Sequence, residues 1–237
     1  MRQQQSIWIE EHKTAAALPS EMSHLSVLKP SSKVVKFLEF LHDQNIKNGK
    51  LIDLGAGKGR NAIYLAKQGF EVYALDYVQQ AVDFISLIAK KEKLESSLHA
   101  VCKPIDDVWP FSDNVFDVAI DCFASIDVES RAGRLKYRSE LLRTLKPGGY
   151  ALIVVVSNDD EIEGELMKSN PGKEHNSSVW PTNNKFQKNY DDAELREFYK
   201  DFQIVALKKI QKPARKLGKD FIASNFWVVL KKNINVK

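Results

Sequence analysis

The stretch LIDLGAGKGRNAIYLA, residues 51–66, decides the fold expected for this chain. An apolar run ends at Asp53, glycines follow at positions 55, 57 and 59, and a segment of helical character comes next. Glycines let the backbone turn sharply and approach a ligand with no side chain in between. A helix that starts directly after such a turn offers free N–H groups to that ligand. The stretch therefore predicts a strand, a ligand-binding loop and a helix, in that order.

Segments of strand and helix character alternate along the rest of the chain. Because alternating strands and helices with short connections build parallel sheets covered on both faces, the pattern predicts an α/β fold with a doubly wound, mostly parallel sheet. Ligands of such folds bind at the carboxyl ends of the strands. The last two strands are expected to pair as an antiparallel hairpin across a loop at residues 211–220. Strands are expected at residues 50–54, 70–76, 98–102, 115–121, 150–156, 202–210 and 221–232, and helices at 31–49, 58–68, 78–91, 129–145 and 191–200.

Length and composition favour one globular domain without a membrane span or export signal. The chain has 237 residues, 43% of them apolar, and no uncharged apolar run approaches the roughly 20 residues of a membrane helix. The first residues, MRQQQSIWIEEHK, lack the apolar core of a signal peptide, so we expect a cytoplasmic protein. The two cysteines, Cys102 and Cys122, stand in strand-like runs outside any CxxC pair, which favours buried small hydrophobes over reactive thiols.

The charge is distributed unevenly along the chain. The net charge is +4, yet from residue 205 onwards nine lysines and arginines face a single acid, which leaves +8 there and −4 elsewhere. A basic segment of this kind attracts phosphate groups or nucleic acid. It also occurs as a solvated strand edge that lysines protect from pairing, and we favour this second interpretation.

The glycine loop is compatible with several nucleotide-like ligands. An acid about twenty residues further on, Asp76, ends the second strand, where nucleotide-binding folds hold a ribose. A nicotinamide, a flavin and S-adenosylmethionine all fit these features. The spacing is GxGxG with Asp53 two residues ahead, whereas dinucleotide-binding loops read GxGxxG, and the absence of GKS or GKT excludes a P-loop.

Two downstream motifs decide between these ligands. They are DDVWPFSDNVFDVAID (residues 106–121) and LLRTLKPGGYALIVVV (141–156), the second with a KPGG turn at 146–149. With DLGAGKG (53–59) and Asp76, the chain resembles the class I S-adenosylmethionine-dependent methyltransferases. GKGRNAIYLAKQGFEVYALD (57–76) is most similar to their small-molecule branch, around the tellurite-resistance and thiopurine-type enzymes. The resemblance implies a Rossmann-like sheet of seven strands with a C-terminal antiparallel hairpin, S-adenosylmethionine as cofactor, and methyl transfer to an O, N or S nucleophile.

The resemblance also implies roles for individual residues. The family's adenine-binding acid falls on Ile105 here, and Asp106 is displaced from it by one position. For Cys122 core packing remains an alternative, and for Asp121 the capping of a helix. The implied cofactor contacts are Asp53, Gly55, Ala56 and Gly57 beside the methionine part, with Arg60 and Asn61 following the loop; Asp76 on the ribose; Tyr77, Val78, the Ile105 backbone and the Asp106 side chain around the adenine; and Asp121 with Cys122 beside the methyl donor.

The acceptor is constrained mainly by motifs that are missing. The (N/D)PP(Y/F) tetrapeptide of adenine-N6 and glutamine methyltransferases is replaced by DCFA, and the Pro-Cys pair of cytosine-C5 enzymes does not occur. We therefore expect a small-molecule acceptor and regard nucleic acid as a less favoured one. Methylation of RNA or protein remains an alternative because of the basic C-terminal segment. So does a cofactor-binding module without catalysis.

Two segments are candidates for covering the acceptor. Residues 1–30 are expected to form an N-terminal lid, and residues 157–190, polar and longer than an ordinary connection, a substrate cap on a methyltransferase domain at 31–237. Removing residues 1–25 is then expected to lower activity far more than cofactor affinity. A general base, if one is needed, is sought in these segments, which makes His12, His175 and Tyr190 the candidates. The histidines are too scattered to predict a metal site, and His24, His42 and His99 are given no catalytic role.

Overall fold

The fold is a seven-stranded sheet with helices on both faces. A computed structural model describes residues 3–17, 28–216 and 219–234. No helix within these residues has the length and apolar character to cross a membrane. The helices are Gln3–Ala17 (α1), Ser32–Asp43 (α2), Arg60–Lys67 (α3), Gln79–Lys91 (α4), Arg131–Thr144 (α5), Glu161–Ser169 (α6) and Asp192–Phe198 (α7). The strands are Gly49–Leu54 (β1), Phe70–Asp76 (β2), Leu98–Cys102 (β3), Phe116–Cys122 (β4), Leu145–Val156 (β5), Ser177–Val179 (β6), Phe186–Lys188 (β7), Phe202–Lys216 (β8) and Lys219–Lys232 (β9).

The strand order of the large sheet is β3-β2-β1-β4-β5-β9-β8, and β6 with β7 forms a separate two-stranded sheet. The first five strands are parallel, whereas β9 runs antiparallel between β5 and β8. The doubly wound, Rossmann-like architecture predicted from the sequence is thereby confirmed, including the antiparallel C-terminal pair. The strand order reverses between β1 and β4, which opens a crevice at their carboxyl ends.

The parallel strands are buried on both faces, which explains their continuous apolar sequences. Leu51 and Val118 pack into a cluster with α2, α3 and α4, while their neighbours Ile52 and Ala119 pack on the opposite face with α5 and α7. Helix α2 forms for reasons that are visible in its sequence. The Ser31 side chain caps the helix by accepting a hydrogen bond from the Lys33 backbone N–H, and the buried residues of α2 recur at helical spacing. These two layers hold the strand ends rigidly around the crevice.

Several sequence-based boundaries were wrong. The loop predicted at 211–220 is mostly strand, because β8 continues to Lys216 with Pro213 paired to Ile222 at the sheet edge, a position that proline tolerates. Strand β5 starts at Leu145 and includes the predicted KPGG turn, where Gly148 adopts a φ of +80°. Cys102 is exposed at the end of β3 rather than buried.

The two candidate covering segments contain regular structure that the sequence did not predict. Residues 3–17 form α1, and the polar segment 157–190 contains α6 and the β6–β7 hairpin. His24 lies outside the described residues, as does part of the 1–30 segment. The division into lid, cap and methyltransferase domain stays a prediction.

The C-terminal hairpin extends beyond the sheet on the side of the crevice. Val156 at the end of β5 pairs with Asn225, so the earlier residues of β9 and their partners in β8 pass beyond the carboxyl end of β5. We call residues 211–216 and 219–224 the hairpin arm. Strand β8 pairs only with β9 among the described strands and forms the edge of the sheet.

Candidate functional site

The glycine loop leaves open space where β1 ends. Gly55, Gly57 and Gly59 have φ values of +66°, +56° and +79°, in the left-handed region that favours glycine. A Cβ added at Gly57 would meet no atom within 4 Å, whereas one added at Gly55 would lie 2.3 Å from the Cβ of Ala124. Gly55 is therefore required for packing against Ala124, which follows β4, and Gly57 faces open space that a ligand can occupy.

Asp76 ends β2, next to the glycine loop. It is buried, and its carboxylate oxygens accept hydrogen bonds from the backbone N–H groups of Gly57 at 2.8 Å and Val78 at 2.9 Å. Burial raises the pKa of Asp76, and the hydrogen bonds oppose that effect. The carboxylate thus joins the glycine loop to the end of β2 and keeps lone pairs for a further donor.

Asp53 carries a buried carboxylate oxygen without a partner. The residue is 1% exposed, and its Oδ2 atom accepts no hydrogen bond from the part of the chain that the structure describes. Burial raises the pKa of Asp53 to about 8, and the nearby guanidinium of Arg60 offsets only part of that effect. A buried acid in this condition is stabilised by a cationic ligand group. The α-ammonium of S-adenosylmethionine is such a group, so the residues present fit the cofactor that the sequence implied.

Asp121, the penultimate residue of β4, is not the N-cap of a helix, since Ser130 caps α5 and the 3-10 turn Ser125–Asp127 has no side-chain cap. Its carboxylate accepts hydrogen bonds from the Ala124 backbone N–H at 2.8 Å and from the Tyr137 hydroxyl at 2.8 Å. Burial raises the pKa values of both Asp121 and the neighbouring Cys122 thiol. Cys122 packs on the apolar cluster of α2 to α4, so its thiol is unsuited to nucleophilic catalysis.

The other predicted contact residues are spread around the same edge. Asn61 is buried, and its Oδ1 accepts a hydrogen bond of 3.0 Å from the Ser31 backbone N–H, which ties α3 to the start of α2. The Ile105 carbonyl accepts a hydrogen bond from the indole of Trp109, and its side chain is in the core. The remaining predicted residues are Ala56, Tyr77 and Asp106, each half-buried, and Val78, which is buried.

Helix α1 bridges the cofactor side and the 157–190 segment. The Gln5 side chain donates a hydrogen bond of 2.8 Å to the carbonyl of Tyr77, directly after β2. The Gln4 side chain donates to the carbonyl of Phe186 in β7 at 2.9 Å. Glu11 pairs with Lys185 at 2.8 Å. The helix therefore lies across the crevice and joins its two sides.

The three candidate bases differ sharply in environment. His12 on α1 is 7% exposed, its Nδ1 has no partner, and burial and then the charge of Lys58 lower its pKa. Tyr190 is buried with the Lys188 ammonium 4.6 Å from its ring centroid, and burial raises its pKa. His175 is exposed. Of the three, His12 alone is both sheltered and free to accept a proton.

His175 lies near two acids, an arrangement that the sequence spacing did not indicate. Ligand atoms of His175, Asp191 and Glu194 all lie within 4.8 Å of one another. Both carboxylates are already engaged, since Asp191 caps α7 in a capping box with Glu194, and Glu194 also pairs with Lys188 at 2.9 Å. We assign no metal to this cluster.

Sequence reasoning missed residues that act through long-range contacts. Gln5 and Glu11 hold α1 in place, Tyr137 holds Asp121, and the buried Arg134 pairs with Glu174 while its other nitrogen donates to the carbonyl of Val128. None of them belongs to a recognisable motif. The apolar run IWI at residues 7–9, which is costly to expose to water, is the sequence signal that points to residues 3–17.

Comparisons with known proteins agree with this geometry. A family model described as "Tellurite resistance protein TehB" matches residues 32–211. The chain is 24% identical over 157 residues to a "Probable S-adenosyl-L-methionine-dependent methyltransferase TehB" of Haemophilus influenzae, covering 66% of this chain and 46% of that one. It therefore spans about half the length of the first curated relatives that it matches.

Two further matches name small molecules. One is the "2-heptyl-1-hydroxyquinolin-4(1H)-one methyltransferase" of Mycobacteroides abscessus, 28% identical over 153 residues, which are 62% of this chain and 63% of that one. The other is the crystal structure of Burkholderia thailandensis 1,6-didemethyltoxoflavin-N1-methyltransferase with 1,6-didemethyltoxoflavin and S-adenosylhomocysteine bound. It has a TM-score of 0.66 and 16% identity, and the alignment covers 98% of this chain and 91% of that chain.

Proposed function

Because the chain belongs to the TehB family of class I S-adenosylmethionine-dependent methyltransferases, we propose that it transfers a methyl group from S-adenosylmethionine to an O, N or S atom of a small molecule. The observation that carries this proposal is the bridging of the crevice by α1. Its hydrogen bonds reach the carbonyls of Tyr77 on one side and Phe186 on the other. A crevice covered in this way suits a compact acceptor and excludes water from the reaction.

The cofactor site is proposed to use the residues that line the crevice. Asp53 binds the ammonium group of the cofactor, and Asp76 accepts hydrogen bonds from its ribose hydroxyls. Gly57, which has no side chain, lets the cofactor come close to the backbone of the loop. When bound, S-adenosylmethionine supplies a methyl group activated by its sulfonium. Methyl transfer to an aligned nucleophile needs no covalent enzyme intermediate, so the protein mainly orients the acceptor and keeps out water.

Asp53 predicts a proton linkage of cofactor binding. With a pKa of about 8, its carboxyl group is protonated at pH 7 in the free protein and would ionise beside the ligand's ammonium group. As the pH is raised towards 8, the affinity for S-adenosylhomocysteine should then increase by up to about tenfold per pH unit, because the proton is released more easily. Calorimetry in buffers of different ionisation enthalpy measures the released proton. Heats that do not depend on the buffer, or release that persists in Asp53→Asn, would contradict the assignment.

The same raised pKa has a consequence for the stability of the free protein. A carboxyl group whose pKa is higher when folded favours folding fully below its unfolded pKa, and this contribution declines as pH rises through the folded value of about 8. The cofactor should therefore stabilise the protein more at pH 8 than at pH 6.

His12 is proposed as the base for acceptors that must lose a proton. Its pKa lies below the ordinary 6.5, so the imidazole is neutral at pH 7 and loses its basic function only in acid. With S-adenosylmethionine saturating at every pH, we expect kcat/KM for the acceptor to be flat above pH 7 and to fall below pH 6.5 with a single apparent pKa. His12→Gln should remove this acid limb and lower turnover by about a hundredfold, the lower end of a general base's contribution. An unchanged profile in this variant would rule the role out.

A panel of acceptors tests the proposed function. A hydroxyquinolone, a toxoflavin precursor and tellurite represent the compounds named for relatives, and RNA and protein represent the alternatives. S-adenosylhomocysteine formation with a small molecule supports the proposal. Turnover only with RNA or protein contradicts it, and so does cofactor binding without turnover on any class, which would favour a non-catalytic module.

A further inference from the structure

Three cationic side chains from separate elements lie beside the crevice, close enough for the charges of two of them to lower the pKa of the third. They are Lys33 on α2, Arg60 at the start of α3, and Lys212 on the hairpin arm. The hydrogen bond between the Ser31 backbone N–H and Asn61, 3.0 Å long, brings the starts of α2 and α3 together. The Trp227 indole donates a hydrogen bond of 3.1 Å to the Lys33 carbonyl, which fixes α2 on β9. The Lys33 ammonium lies 5.1 Å from the ring centroid of Phe123, directly after β4.

The hairpin arm places Lys212 over the same edge. Lys208 is paired with Trp227 and its ammonium lies 5.8 Å from the centroid of that ring, so this face of β8 is the one that α2 covers. Side chains two or four residues apart on a strand share a face, which puts Lys212 on this face as well. Lys212 is paired with Ala223, past the end of β5 at Val156, and therefore extends the cationic face beyond the sheet.

The three cations have no anionic partner of their own. Within residues 3–17, 28–216 and 219–234 none of them forms an ion pair or donates a side-chain hydrogen bond, although other lysines of the same hairpin do. Burial, then the charges of Lys212 and Arg60, lower the pKa of Lys33. Of the three cations, Arg60 is the one whose charge acts on the buried acid Asp53, and the two side chains form no ion pair within the described residues. Like charges held close together are relieved by a bound anion.

We propose that Lys33, Arg60 and Lys212 form a binding subsite for an oxyanion group, a carboxylate or a phosphate, of the methyl acceptor. This inference rests on the proposed function and adds a substrate class to it. The subsite lies beside the crevice, so an acceptor could place its nucleophile inside while its anionic group stays on the cationic face. Lys33 and Lys212 come from α2 and the hairpin arm rather than from the glycine loop, so these two residues are not needed to hold the cofactor, whereas the charge of Arg60 also acts on Asp53.

Pyrophosphate binding to the protein saturated with S-adenosylhomocysteine tests the subsite. Calorimetry should detect binding to the wild type and about fivefold weaker binding to Lys33→Met and to Lys212→Met, as expected for the loss of one charge from a partly solvated site. Lys90→Met, which removes an exposed lysine of α4, should bind pyrophosphate as the wild type does. S-adenosylhomocysteine affinity should be unchanged in Lys212→Met.

Two results would overturn the subsite. One is the absence of pyrophosphate binding, or equal binding by the wild type and Lys212→Met. The other is competition between pyrophosphate and S-adenosylhomocysteine, which would identify the three cations as the site of the cofactor's own carboxylate. Since pyrophosphate binding is measured without turnover, its failure leaves the proposed methyl transfer intact. Failure of the methyl transfer is recognised separately, from the acceptor panel.

Discussion

Removal of residues 1–25 should lower turnover by about a thousandfold while S-adenosylhomocysteine affinity falls less than tenfold, because the roles proposed for α1, which are acceptor orientation, water exclusion and the general base His12, would be lost together. On the cofactor side α1 contributes one neutral hydrogen bond, from Gln5 to the Tyr77 carbonyl, and such a bond is worth about 1 kcal/mol. On the acceptor side it carries His12 and contacts β7 through Gln4. Turnover with a small molecule and calorimetric affinity, measured on the same preparation, separate the two effects.

Point variants control for damage to the fold. Within the described residues, Gln5→Ala removes the one side-chain bond to the Tyr77 carbonyl. Gln4→Ala removes the bonds to the Asp127 and Phe186 carbonyls and the bond that its side chain accepts from the Phe186 backbone N–H. We expect Gln4→Ala to reduce kcat/KM for the acceptor more than it reduces cofactor affinity, and Gln5→Ala to do the reverse. Equal losses of activity and cofactor affinity after truncation, or no loss of either, would show that α1 is a surface wrap without a role in acceptor binding.

Asp76→Ala should weaken S-adenosylhomocysteine binding by about 300-fold. The proposed contacts are two hydrogen bonds from the ribose hydroxyls to a buried carboxylate, and hydrogen bonds to charged groups contribute about 1.5–3 kcal/mol each. The substitution also removes the acceptors for the Gly57 and Val78 N–H groups, which loosens the glycine loop. Calorimetric titration measures the change directly.

Two variants serve as controls for the affinity of Asp76→Ala. Asp76→Asn keeps one carbonyl acceptor and should lose less affinity than Asp76→Ala. Asp83 lies at an exposed position on α4, where its carboxylate accepts a hydrogen bond from the Gln79 side chain, and Asp83→Ala should bind the cofactor product like the wild type. Unchanged affinity in Asp76→Ala would refute the role assigned to the end of β2.

The central sheet could be predicted from sequence because its signals are local. Strands such as KLIDL (50–54) and FEVYALD (70–76) are continuous apolar runs bounded by turn residues, and glycines mark the loop between β1 and α3. The predicted contact residues are placed around one sheet edge for the same reason, since consecutive parallel strands end at the same edge. The register of Asp53 and Asp76 within these strands fixed their positions.

The structures of α1, the β6–β7 hairpin and the hairpin arm could not be predicted because they depend on long-range contacts. In QQQSIWIEEHKTAAA (3–17) the apolar residues 7–9 are consecutive rather than spaced as on a helix face, and α1 is held by partners more than 70 residues away. Strands β6 and β7 are three residues each in a polar segment. In the hairpin arm, Pro213 and the surrounding charges are typical of a loop, yet pairing with β9 keeps the segment extended. The cationic cluster of Lys33, Arg60 and Lys212 emerges only from this pairing.

Methyl transfer to a small molecule is tested most directly by following a labelled methyl group. The protein is incubated with S-adenosylmethionine carrying an isotopic methyl label, together with metabolite, RNA and protein fractions from a cell extract, and the label is traced in each fraction. We expect labelled product in the metabolite fraction, with one S-adenosylhomocysteine formed per methyl group transferred. In Asp76→Ala we expect both the labelled product and the S-adenosylhomocysteine to be lost. Label confined to RNA or protein, or no label transferred although S-adenosylhomocysteine binds tightly, would contradict the proposed transfer to a small molecule.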